Sequence, residues 1–173
     1  MSRFRETVYY YQPVPDKMAT ARKAVMIRMG IRIRMVEPEQ LLEQVGFVAG
    51  LPGFVSRAES AETAEAFGDE GAADPVSTEE FPEEMLLFQG FSDSRLDQLL
   101  KQLHRAKIPK TNLKAVLTQQ NISWTFARLY REISEEHVRM HAQEATAVEA
   151  VKAKTAGGEP ALEDGNVTEK SDD

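Results

Sequence analysis

TVYYYQPVPDKMATARKAVMIRMGIRIRMVEP, residues 7–38, reads as strand, helix, strand. Residues 7–12 are β-branched and aromatic and run into Pro13 and Pro15, which predicts a strand entering a turn. Asp16 stands where a helix cap belongs, and Met18, Ala21, Val25 and Met29 recur at helical spacing before Gly30 ends the run. Ile31, Ile33 and Met35 then alternate with Arg32 and Arg34 as far as Pro38, so a second strand with one buried face is expected. A shorter helix should follow, with Leu41, Leu42 and Val45 inward and Gly50, Pro52 and Gly53 closing it.

The same order returns further along the chain. Residues 85–88, Met-Leu-Leu-Phe, form an apolar run long enough for a buried strand and too short for a buried helix. Ser94 to Asp97 resembles a capping box, and Leu96, Leu99, Leu100 and Leu103 trace one helical face until Pro109. Residues 113–118, LKAVLT, supply another strand, after which Asn121 or Ser123 should cap a long helix with Phe126, Leu129, Tyr130 and Ile133 inward. Alternating strands and helices predict an α/β domain with a small, largely parallel four-stranded sheet built from two βαβα halves, residues 1–55 and 84–143. A ferredoxin-like α+β sandwich is the alternative.

Between and after the halves the composition changes. Residues 56–83 are dominated by Ala, Glu, Ser, Thr, Gly and Asp with no apolar period, and residues 144–173 are similar, so both are expected to remain a flexible insert and tail. The chain carries net charge −7, but residues 56–84 alone carry −9 and residues 144–173 carry −5. The part expected to fold is therefore basic, at +7, and the acidic segments should screen it from anionic partners. There is no cysteine, which removes disulfides, thiolate metal sites and cysteine nucleophiles and suits a reducing cytoplasm. No stretch approaches the roughly 20 apolar residues that span a bilayer, so neither secretion nor membrane insertion is expected.

In open α/β sheets ligands gather at the carboxyl ends of the strands. The most polar such end is residues 118–124, T-Q-Q-N-I-S-W, where Thr118 and Asn121 have the chemistry to orient a ligand beside the single tryptophan, Trp124. With Lys114 and Gln89 these are the candidate ligand-binding residues; the alternative role for Asn121 and Ser123 is simple helix capping. His137 and His141 have zinc-ligand spacing but lack the glutamate of H-E-x-x-H and any evident third ligand, so no metal and no cofactor are assigned. Residues 90–94, G-F-S-D-S, lack the last glycine of a nucleophile elbow, and no catalytic residue is assigned. Two acid-free basic spans, residues 17–36 and 98–131, with Tyr9, Tyr10, Tyr11 and Trp124, make nucleic acid an alternative partner. The leading expectation is a non-catalytic interaction or regulatory module binding a protein or small anionic ligand at residues 118–124. An enzyme of unidentified class is a further alternative.

The run E-M-L-L-F-Q-G-F-S-D at residues 84–93, I-P at Ile108 and Pro109, L-K-A-V-L-T-Q-Q-N-I-S-W at residues 113–124 and L-Y-R-E-I-S-E-E-H at residues 129–137 resemble a bacterial domain of unknown function, number 3783. The resemblance spans residues 84–141, and its K-A-x-x-T-x-x-N-x-x-W pattern falls on Lys114, Ala115, Thr118, Asn121 and Trp124. It implies family membership and lends no activity. Proline often follows the threonine in that family; Gln119 stands there in this chain.

Overall fold

The computed structural model describes residues 6–57 and 78–156; most of the expected insert and the end of the expected tail lie outside these residues. The chain divides into two compact units, Met1–His137 and Val138–Asp173.

In the first unit, β1 (Thr7–Tyr11), α1 (Lys17–Arg28) and β2 (Arg32–Val36) form one βαβ unit, and β3 (Met85–Gln89), α3 (Asp93–Arg105) and β4 (Leu113–Val116) form another. Between them lie a 3-10 turn at Pro38–Leu42, a short helix α2 (Val45–Val48) and a 3-10 turn at Thr78–Glu80; α4 (Phe126–Ala156) follows β4. The strand order is β2-β1-β3-β4. The β1–β2 and β3–β4 pairs are parallel, and the two halves join through an antiparallel β1–β3 pair in which Tyr9 faces Leu87.

Every residue of β1 is buried, as expected of a strand with cover on both faces. Val8, Tyr10, Leu86 and Phe88 pack with Ala19, Val25, Met26, Leu99 and Leu103 of α1 and α3. Tyr9, Tyr11, Met85, Leu87, Leu113 and Ala115 pack on the other face with Val45 and Val48 of α2 and Phe126, Leu129 and Tyr130 of α4. Helices on both faces make this the α/β class; a ferredoxin-like sandwich would keep them on one. The predicted βαβα order holds, although the second helix of the first half shrinks to a 3-10 turn and one turn of α2.

Several local expectations are corrected. The buried face of α1 is Ala19, Arg22, Val25 and Met26, while Met18 is exposed, because Arg22 turns inward to bonds on Tyr10 and Glu84 and rotates the stripe that apolar spacing had placed. Ile33 and Met35 do not form a buried face, since β2 is an edge strand; Ile31 and Val36 at its ends are the buried residues. Ser92, not Ser94, caps α3, accepting from the Arg95 amide at 3.3 Å. Thr125 receives the Arg128 amide at 3.2 Å at the start of α4, the role expected of Asn121 or Ser123. Part of the expected insert also packs: Phe81 is fully buried, edge-to-face with Tyr130 at 5.0 Å, and its carbonyl accepts from Tyr11 at 3.0 Å.

In the second unit the described chain is helical, and residues 138–153 are all exposed. Among the described residues no helix is long and apolar enough to cross a membrane.

Candidate functional site

Strand pairing decides where residues 113–124 place their side chains. Leu113 and Ala115 belong to the core beneath α4, so Lys114 between them points to the opposite face. There its amine donates to the Thr111 carbonyl. Burial lowers its pKa, and the charges of Lys110 and Arg22 push in the same direction.

Thr118 and Asn121 do come together, two residues past the end of β4. Asn121 Oδ1 accepts from the Thr118 amide at 2.8 Å, its Nδ2 donates to the Val116 carbonyl at 2.9 Å, and its amide donates to Thr118 Oγ1 at 3.3 Å. The two side chains are thus committed to a turn that carries the chain from β4 towards α4. Trp124 lies before the helix, partly packed on the core, with the Arg128 guanidinium 4.6 Å above its ring. The residue 43–46 segment pins this turn through Val45 N–H to Trp124 O, Gly46 N–H to Ile122 O and Phe126 N–H to Glu43 O, all at 2.8–3.0 Å. Lys114 thus bonds to the segment before β4, and the Thr118–Asn121 pair to the turn after it.

Gln89 leads elsewhere. Its register partner is Thr7 on β1, and its Oε1 lies 2.7 Å from the Tyr9 hydroxyl. The same hydroxyl is 3.0 Å from the Ala49 carbonyl, so its one proton always has a buried acceptor. Burial raises the Tyr9 pKa; the charges of Arg34 and Arg32 oppose that shift. Tyr9 forms the floor of a cleft of about 420 Å³, lined further by Arg34, Met35, Gln40, Phe47, Val48 and Gly50.

The cleft is framed by Tyr9 of β1, by Arg34 and Met35 of the edge strand β2, and by Phe47 and Val48 of the one-turn helix α2. Gly50 has φ +67°, and a Cβ there would stand 3.4 Å from the Arg34 guanidinium, so glycine lets the chain turn close to that charge. Arg34 is exposed and has no carboxylate within ion-pair distance among the described residues. Gln40 uses its Oε1 on the Glu37 amide at 3.0 Å, leaving its amide nitrogen uncommitted among the described residues. Donors at the mouth and an apolar wall of Phe47 and Val48 suit a ligand with an anionic end and an apolar body. Among the described residues no cluster of three His, Asp or Glu side chains is placed to hold a metal ion.

Sequence reasoning selected Gln89, which bonds Tyr9 but does not line the cleft, and missed Tyr9, Gln40, Phe47 and Gly50 as lining residues. One signal was present: Arg32 and Arg34 lie in an acid-free basic span and alternate on a strand, which puts both charges on one face.

No curated protein and no solved structure matches the chain. Residues 84–140 match the family described as Domain of unknown function (DUF3783), which takes in β3, α3, β4 and the start of α4 and leaves most of the cleft outside. That stretch, with the turn-forming Thr118, Asn121 and Trp124 inside it, is similar to the DUF3783 family.

Proposed function

We propose that the folded domain is a non-catalytic binding module that takes an anionic group, on a small ligand or a protein partner, into the cleft between Tyr9 and Arg34. The observation that carries this reading is Arg34 itself: a guanidinium at the mouth of a partly apolar cleft with no acidic partner among the described residues. The lining supplies donors and apolar surface and contains no carboxylate or imidazole, which supports binding over proton-transfer chemistry. We take the setting to be a bacterial cytoplasm, supported by the absence of cysteine and by the family resemblance.

The test is titration of the full chain with benzoate and with inorganic phosphate, followed by NMR at the Arg34 and Gln40 side chains. The wild-type protein should bind at least one of these anions, benzoate more tightly because Phe47 and Val48 receive its ring. Arg34→Gln should weaken binding by about 1.5–3 kcal/mol, the usual worth of a hydrogen bond to a charged group. Equal affinity in the variant, or no shift at either side chain, would remove the basis for the proposal.

A further inference from the structure

The two edges of the sheet are finished differently. On β4 the residues bonding to β3 include Leu117, whose amide donates to Phe88 O at 2.8 Å, so Lys114 and Val116 turn their backbone groups outward. That edge is capped: Asn121 Nδ2 donates to the Val116 carbonyl at 2.9 Å. On β2 the Arg32 amide donates to Glu6 O at 2.9 Å. In a parallel ladder alternate residues bond in the same sense, so Arg34 and Val36 also face β1, and Ile33 and Met35 present their N–H and C=O groups to the open side. Neither residue has a backbone or side-chain partner on that side among the described residues.

The side chains along this open edge alternate in chemistry as well as direction. Arg32 and Arg34 share the cleft face, and both are exposed. Ile33 and Met35 share the other face, Met35 with 40% of its surface exposed. Charges on an edge strand often serve only to discourage pairing. An edge protected in that way gains nothing from leaving Met35 uncovered on its second face, or from a cleft beside the arginines.

Resting on the reading of the cleft given above, we infer that β2 is a docking edge for an extended acidic polypeptide, which adds a fifth strand beside Ile33 and Met35. Its alternate acidic side chains would meet Arg32 and Arg34, and its apolar ones would cover Ile33 and Met35. Charge complementarity selects this occupant. A second copy of the chain pairing β2 against β2 would bring arginines opposite arginines, which is destabilising.

The probe is an end-blocked synthetic peptide alternating glutamate and valine, compared with the same peptide N-methylated on alternate backbone nitrogens. Binding and amide hydrogen exchange are measured on the full chain. The unmethylated peptide should bind at least ~10-fold more tightly, because methylation removes donors to the ladder while leaving charge unchanged. Exchange at Ile33 and Met35 should slow at least ~10-fold when the peptide is bound. The double variant Arg32→Gln, Arg34→Gln should weaken binding by at least ~10-fold in dilute salt. Equal binding of both peptides, protection elsewhere in the sheet, or no binding would overturn the inference. So would protection of Ile33 and Met35 by self-association without peptide. Benzoate binding that survives while the peptide fails would overturn the docking edge alone; peptide binding with edge protection but no benzoate effect at Arg34 would instead remove the small-anion reading.

Discussion

Arg22 Nη1 donates to the Tyr10 hydroxyl at 2.7 Å and to Glu84, while its Nη2 reaches the Pro109 carbonyl at 3.2 Å and Thr111 Oγ1 donates to the other Glu84 oxygen at 3.1 Å. Its side chain is 3% exposed, and its Nε has no partner among the described residues. One arginine thus ties α1 to β1, to the residue before β3 and to the segment before β4. Replacing it with methionine would leave the Glu84 carboxylate and Tyr10 hydroxyl beside an apolar group; Arg22→Met should cost about 3 kcal/mol in urea unfolding. Arg22→Lys should fail to restore it, because an ammonium lacks the planar fork that reaches several acceptors at once. Nothing in the sequence marked Arg22, since apolar spacing has no place for a charge on the inner stripe. The tyrosines were easier to read as a strand than as titrating groups. All four, Tyr9, Tyr10, Tyr11 and Tyr130, have pKa values raised above 10.0, burial being the first cause for each. For a raised phenol the folded state keeps its proton longer, so its stabilisation is whole below pH 10 and is lost as pH rises towards the folded value. Lys114 acts in the opposite sense, because its lowered pKa makes the unfolded chain the better proton binder below 10.5. Four phenols against one half-buried amine give a net loss. In an alkaline titration, phenolate absorbance should grow together with loss of circular dichroism. Phenolate appearing at about pH 10 with the fold intact would contradict this.

α2 is only four residues long, yet it sets the position of both the cleft wall and the turn after β4. Gly46 makes that position attainable: a Cβ there would fall 2.6 Å from the Phe54 ring, and its amide donates to Ile122 O at 2.8 Å. Gly46→Ala should therefore destabilise by about 1–3 kcal/mol, seen as a lower urea midpoint, with Phe54→Leu recovering part of the loss. If the single variant unfolds at the wild-type midpoint, the close approach of Gly46 and Phe54 is not required. At this scale the sequence was legible where periodicity is strong. Strand β3 and the inner face of α4 follow from runs of leucine and aromatic residues, and on α3 Leu99 and Leu103 are buried as expected while Leu100 is exposed. The region of α2 was not, because Leu41, Leu42 and Val45 split between a 3-10 turn and a helix start. The polar residues 118–124 were read as ligand chemistry, but their hydrogen bonds close a turn. A side chain that closes a turn and one that greets a ligand are the same residue type until the bond partners are known.

For the molecule as a whole, the two βαβ units were visible in the order of elements, but how they join was not. The antiparallel β1–β3 pair has no local signal, because its partners lie about 80 residues apart in register. The cleft was hidden for the same reason: Tyr9, Arg34 and Phe47 come from separate elements that only the tertiary fold brings together. That antiparallel join also governs the field around the domain. Each of α1 and α3 runs against the strand before it, so reversing β3 relative to β1 reverses α3 relative to α1. Their macrodipoles therefore oppose one another, and each rim of the sheet meets one helix start and one helix end. A doubly wound sheet with all strands parallel would gather its positive helix ends at a single rim, ready for phosphate. Here the backbone offers no such concentration, and attraction for an anion has to come from side chains placed for it, as Arg32 and Arg34 are.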